Sequence, residues 1–259
     1  MLAEAGLLLV PLAAGLLVLL THLPLGEQVL KRGILFIDLA VAQLAALGAL
    51  LAQQVWPDVP WAALAGGTLL AVLGAGLVGW LAARYPAQRE AVIGLLYAGA
   101  ACSLLLLLAS DPHAGHQLAR SLNGDILWVS WDDLLPLALL TVAFWAVQWR
   151  HFNWLGAAGF YPCFALLVSF SVPLLGVYLV FVTLIAPALV AQLAGGRSAG
   201  LLCGCVGYLL GLGLAWQLDW PAGATLVLSL LLASVIWVVL YGLRAGYSSG
   251  QSSASSGSS

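Results

Sequence analysis

Along this chain, stretches of roughly twenty almost wholly apolar residues alternate with short polar breaks. A helix needs about 20 such residues to cross the hydrocarbon layer of a bilayer. The pattern predicts about nine of them, near residues 5–23, 34–54, 61–83, 90–109, 133–149, 157–173, 175–193, 199–217 and 223–243. The finest division lies between the sixth and seventh. Only Ser171, Val172 and Pro173 separate them, which leaves a broken helix or a re-entrant hairpin open beside two full spans. The expected fold is an all-α polytopic membrane protein, with a transmembrane domain over residues 1–245. Residues 246–259 are rich in Ser and Gly, too polar to bury a core, and read as a disordered tail.

The charges between the spans give an orientation. Lys31 and Arg32, Arg84 and Arg89, Arg150, Arg197 and Arg244 fall on alternate connections. The remaining connections carry mainly acids: Asp58, then Asp111, Asp125, Asp132 and Asp133, then Asp219, with Arg120 the exception. Basic connections stay in the cytoplasm, so the N-terminus is expected outside, the C-terminus inside, and the number of spans odd. Trp56, Trp61, Trp128, Trp131, Trp149, Trp154 and Trp220 sit near span ends, as an aromatic belt does. Gly66, Gly67, Gly74, Gly76 and Gly79 crowd the third span, where small residues let helix backbones approach.

Composition makes a soluble alternative untenable. Apolar residues make up 63% of the chain and charged residues 7%, against roughly a quarter charged in soluble domains. Mean hydropathy is +1.06. The net charge of −2 offers no field for nucleic acid. Cys102, Cys163, Cys203 and Cys205 all lie in apolar runs without a C-x-x-C, and read as small buried hydrophobes. The N-terminus has no basic region before its first charge, Glu4, so residues 5–23 read as a retained span.

Little in the chain can do covalent chemistry. Its only lysine, Lys31, follows no G-x-x-x-x-G run, so no P-loop holds ATP. H-E-x-x-H and G-x-S-x-G are both lacking. Asp38 stands apart as the sole acid well inside a predicted span, where an ionised carboxylate costs several kcal/mol. Two readings stand: Asp38 lines a substrate path, or it reaches interfacial water beside Lys31 and Arg32. Gln43, five residues on, lies about 140° around the same helix. His113 and His116, in D-P-H-A-G-H, read either as weak metal ligands in an external loop or as plain polar loop residues. His22 and His151 read as interfacial. Pro187 interrupts T-L-I-A-P-A-L-V-A-Q-L and kinks the helix there. Either this is simple curvature, or it aims the segment through Gln192 to Gly195, Gly196 and Arg197 at a soluble partner.

Five stretches, in order, resemble the membrane permease subunit of metal-type (zinc, manganese, iron) ABC importers. They are K-R-G-I-L-F-I-D-L-A-V-A-Q-L-A-A-L-G-A (31–49), A-V-I-G-L-L-Y-A-G-A-A (91–101), N-G-D-I-L-W-V-S-W-D-D-L (123–134), L-I-A-P-A-L-V-A-Q-L (184–193) and D-W-P-A-G-A-T (219–225). The third is the most specific: Gly124, Asp125, Ile126, Leu127, Val129, Ser130, Asp133 and Leu134 follow the family's pattern. In the first, Asp38 matches the acid of the family's Gly-Asp pair. Ile37 stands where the glycine would be, and Ala42 or Gln43 where the family has a histidine.

The resemblance implies a homodimeric permease in the bacterial inner membrane with a path between the copies, to which Asp38 and Gln43 are assigned. It implies a cytoplasmic ABC ATPase docked on a coupling segment around 188–200, following Pro187 and including Gln192, Gly196 and Arg197. It also implies an extracytoplasmic solute-binding protein that delivers the ion. ATP hydrolysis then belongs to a separate subunit. The divalent metal is substrate, and no covalently bound cofactor is expected. Alternatives are a diverged ABC permease for another small solute or a metal chelate, and a secondary transporter driven through Asp38. A membrane enzyme lacks a nucleophile–base set here, and a membrane scaffold remains a further class.

Overall fold

The computed structural model describes residues 2–108, 124, 126–150 and 159–255. Among these it is all helical, without a strand. The helices are α1 (Leu2–Arg32), α2 (Ile37–Val55), α3 (Ala62–Arg84), α4 (Arg89–Leu108), α5 (Trp131–Arg150), α6 (Phe160–Leu175), α7 (Val177–Leu193), α8 (Arg197–Leu218) and α9 (Ala222–Ser255), with short 3-10 turns at Pro86–Gln88 and Ile126–Trp128. Each α-helix overlies one predicted apolar run. Six segments are long and apolar enough to cross a membrane: Leu8–Arg32, Ile37–Val55, Ala62–Arg84, Pro86–Leu108, Arg197–Leu218 and Ala222–Leu243. At 1.5 Å per residue, α6 and α7 reach only about 24 and 26 Å, short of a hydrocarbon layer of about 30 Å. The apolar stretch of α5 is trimmed by Asp132 and Asp133 at one end and Arg150 at the other.

Three boundaries depart from the sequence pattern. The helix expected over 5–23 runs on through Pro24 to Arg32, so Lys31 and Arg32 form its last turn instead of a connection. Proline removes one N–H from the ladder, and neighbouring helices make that tolerable in a membrane helix. The two basic residues also complement the negative end of the helix dipole. The break between the sixth and seventh helices falls at Gly176, not at Ser171–Pro173. Pro173 lies inside α6, while Gly176 turns the chain at φ +83°, a conformation open to glycine. The helical backbone of α9 continues to Ser255, over most of the segment whose composition suggests a disordered tail. That stretch contains no proline to stop it.

The core gathers α1, α2, α6, α7 and α8 around Leu19, Leu25, Ile37, Phe160, Phe164 and Tyr208, all almost fully buried. Large apolar residues such as Leu69, Leu73, Leu95, Leu106, Leu139, Val142, Leu228 and Leu232 are exposed. Water would not tolerate so much exposed apolar surface, whereas lipid solvates it. Without a hydrophobic drive in lipid, helix association rests on close packing and internal hydrogen bonds. Gly48 of α2 and Gly66 of α3 pack backbone against backbone. A Cβ built on Gly48 would overlap the Gly66 carbonyl oxygen, and one on Gly66 would overlap that of Gly48. Gly76, on the same helix, meets nothing within 4 Å, so it takes no part in this packing. Several polar side chains in the bundle satisfy themselves locally or in pairs. Thr141 and Ser171 donate to Leu137 and Leu167 carbonyls at 2.7 Å, and Thr183 Oγ1 lies 2.6 Å from Tyr208 Oη.

One end of the bundle collects the basic residues. The Arg89 guanidinium donates to the Arg32 carbonyl, and the Leu35 amide donates to Glu90 Oε1 at 2.7 Å, which ties the α1–α2 turn to the start of α4. Arg197 reaches α1 at the same end. The opposite end carries Trp56, Trp61, Trp128, Trp131 and Trp220, all exposed. Trp154, like His113, His116 and His151, lies outside the described residues.

Candidate functional site

Asp38 occupies the first turn of α2 and is 2% exposed. Its Oδ1 has no hydrogen-bond partner. Of the two readings of this residue, the one that takes its carboxylate to interfacial water does not describe the single chain, where it is closed off. Asp38 lies on the stripe of α2 that continues through Ala42, Ala45 and Ala49. Gly67 of α3 packs there, with a Cβ at Gly67 standing 2.8 Å from the Ala45 carbonyl oxygen. Gln43 is buried too, at 6% exposure. Helix geometry sets it on another side of α2, so the single chain does not aim the carboxylate and the amide at one point.

His22 departs from expectation. It is fully buried in α1, ten positions before the helix ends, and is not interfacial. The continuation of α1 past Pro24 carries His22 inward. Its Nδ1 donates to the Val18 carbonyl at 3.0 Å and lies 3.1 Å from Thr21 Oγ1. That leaves Nε2 as a bare lone pair without a partner. His22 shares its stripe with Gly15, which lies against the Tyr208 ring, and with Gly26, which lies against Leu184 and Ala188. The signal that could have found it was the helical pattern continuing from Thr21 to Arg32. Among the described residues, no three His, Cys, Asp or Glu side chains form a group able to hold a metal ion.

Within residues 188–200 the break between helices is short. Helix α7 continues past Pro187 to Leu193, and α8 starts at Arg197, so only Ala194, Gly195 and Gly196 are non-helical. Pro187 is buried, and Gly200 packs against its carbonyl oxygen. Gln192, Gly196 and Arg197 are exposed. Gly195 and Gly196 take φ +113° and +83°. Arg197 is held from across the bundle. Its Nε and Nη2 donate to Glu27 Oε1 and Oε2 at 3.0 and 2.6 Å.

Within the stretch 123–134, Gly124, Ser130 and Asp133 have structural contacts. Gly124, at φ +69°, sits against the backbone of Leu175 and Gly176, where a Cβ would overlap it. It therefore seats this segment on the α6–α7 break. Ser130 and Asp133 form a reciprocal cap on α5. The Asp133 carboxylate accepts from the Ser130 amide at 2.9 Å and from its hydroxyl at 2.6 Å, while the Asp133 amide donates to Ser130 Oγ at 3.4 Å.

The described residues thus form a bundle of membrane-compatible helices that encloses Asp38, one carboxylate oxygen of which has no partner. Residues 5–157, more than half of the chain, match the ABC 3 transport family, and the chain belongs to that family. It is a multi-pass membrane permease, with ATP hydrolysis carried out by a separate subunit. The fold is similar to that of PsaBC from Streptococcus pneumoniae in complex with Fab, with TM-score 0.71, 19% identity, and 91% of this chain and 95% of that chain covered. It is also similar to an inward-facing structure of a metal-chelate type ABC transporter, with TM-score 0.59, 20% identity, and 92% and 85% covered. No curated protein matches the chain in sequence.

Proposed function

We propose that this chain is the transmembrane permease of an ABC importer for a divalent metal ion, zinc or manganese. The observation that carries the proposal is Asp38: a carboxylate sealed inside a membrane helix, with one oxygen free, in a chain of the ABC 3 transport family. An acid kept at such cost is normally retained for a solute. His22 supports the reading from another helix, since its Nε2 lone pair is the kind of ligand zinc and manganese accept, while the Gln43 amide is a poorer one. The likeness in fold to a metal-chelate type transporter supports a second reading, in which the solute is a chelate and the ion is never stripped.

In this reading two copies pair to enclose the path, and the nine helices among the described residues all cross or enter the membrane. The basic end faces the cytoplasm of a bacterial cell, with the N-terminus outside. An ABC ATPase docks at Gln192, Gly196 and Arg197, and a solute-binding protein docks at the tryptophan-rich end. His113 and His116 would then lie on the outer side as weak metal ligands. The test is cellular metal content and uptake in a strain lacking the chain, across zinc, manganese and iron. A selective fall in one metal, restored by the wild type and not by Asp38→Asn, is the expected result. Unchanged levels of all three metals would sink the metal reading and direct the search to another solute.

A further inference from the structure

We infer that Glu27 is a positioning residue for the α7–α8 turn, clamping it to α1 through Arg197. The inference rests on the reading of that turn as the ATPase coupling segment. Its two glycines both lie at positive φ, and the helix ends on either side have no side-chain cap. Backbone hydrogen bonds close the turn locally, Ala194 N–H to the Val190 carbonyl at 2.8 Å and Gly196 N–H to the Ala191 carbonyl at 3.1 Å, but a tie that sets the turn against another helix has to come from a side chain. A Cβ on Gly196 would meet nothing within 4 Å, which leaves the tip of the turn open.

The carboxylate of Glu27 meets this need. The pair is bidentate, and charge-assisted forks of this kind fix angle as well as distance. Side-chain exposure is 17% for Glu27 and 49% for Arg197, so the carboxylate is the sheltered, fixed partner and the guanidinium the reaching one. Glu27 itself is firmly seated. The preceding residue, Gly26, is where α1 comes closest to α7, and a Cβ there would overlap the Leu184 carbonyl oxygen. Gly200 brings α8 to the same junction: a Cβ there would overlap the Pro187 carbonyl oxygen and stand 3.1 Å from Leu23 Cδ1. Three helix backbones therefore meet just below the clamp. A push delivered at the turn reaches α1 through the Glu27–Arg197 fork, and α1 is the helix that carries His22.

The test uses the full chain in lipid nanodiscs, and the same chain assembled with its ABC ATPase in proteoliposomes given zinc or manganese chloride. With Glu27→Gln, amide hydrogen exchange over residues 194–199 is expected to speed up about five- to tenfold. Metal taken up per ATP hydrolysed is expected to fall by about the same factor, an ordinary size for coupling between two sites. The exchanged pair Glu27→Arg/Arg197→Glu should restore both. Unchanged exchange in Glu27→Gln would overturn the clamp. Faster exchange with unchanged uptake per ATP, or failure of the exchanged pair to recover coupling, would overturn the positioning role. If instead the wild type itself captures no ATPase and moves no metal, the metal-importer reading fails and the coupling role falls with it. That result is separable, because it shows in the wild type and not only in the variant.

Discussion

The contact between Gly48 and Gly66 allows a sharp prediction. Replacing Gly48 with Ala places a methyl group where the Gly66 carbonyl oxygen stands, 2.7 Å from Leu70 Cβ. The obstacle is backbone, which cannot swing aside as a side-chain tip can, so α2 and α3 must separate. Overpacking of this kind typically costs about 1–3 kcal/mol. Gly76→Ala provides the matched control on the same helix pair. Nothing lies within 4 Å of its added methyl, and the exchange of glycine for alanine in a helix gains roughly 0.5–1 kcal/mol. Both substitutions carry that gain, so the two variants should differ by the overpacking cost alone, about 1–3 kcal/mol, with Gly48→Ala the less stable. Thermal unfolding in one detergent, followed by helical circular dichroism, measures the difference. The Gly48 variant should also lose uptake, because α2 carries Asp38. Equal midpoints for the two variants would mean that α2 and α3 do not meet as described.

Three further outcomes follow from individual polar groups. Asp38→Asn keeps the side chain's volume and removes the carboxylate charge, so the unfolding midpoint should hold or rise while metal uptake falls. A drop in both would mark Asp38 as structural. His22→Leu removes an unpartnered ring nitrogen whose burial costs about 1–3 kcal/mol. Stability should be kept and uptake reduced, and full uptake in transport assays would take His22 off the route. Ser130→Ala deletes one half of the α5 cap and should cost about 1 kcal/mol of stability, with uptake per folded chain unchanged. A transport defect in well-folded Ser130→Ala would show that the 123–134 stretch does more than seat and cap.

Apolar periodicity made the helices legible, because lipid demands a simple signal: a long apolar run. Where the run was broken by residues that are ambiguous in isolation, the sequence misled. Proline reads as a stop at Pro173 and Pro24, yet both lie inside helices, and the real break comes at Gly176, where only φ distinguishes it from other glycines. Asp38 was legible because an acid in an apolar run is rare. His22 was not, since its depth depends on how far α1 continues. The Glu27–Arg197 pair joins residues 170 positions apart, and no local pattern carries that information. The Ser130–Asp133 cap was visible as part of a resemblance, but its physical reason emerged only with the hydrogen bonds.

The placement of the tryptophans has an optical consequence. Trp56, Trp61, Trp128, Trp131 and Trp220 all stand exposed at the end of the bundle away from the basic residues. These five rings emit from one end of the bundle, while Trp80 and Trp149, exposed near Arg84 and Arg150, emit from the other. Quenchers confined to the leaflet at the five-ring end should extinguish more of the fluorescence than the same quenchers in the other. Any protein that settles on that face would displace water from those rings and shift their emission to the blue. The chain thus carries its own label for events on one side of the membrane, readable without attaching a dye.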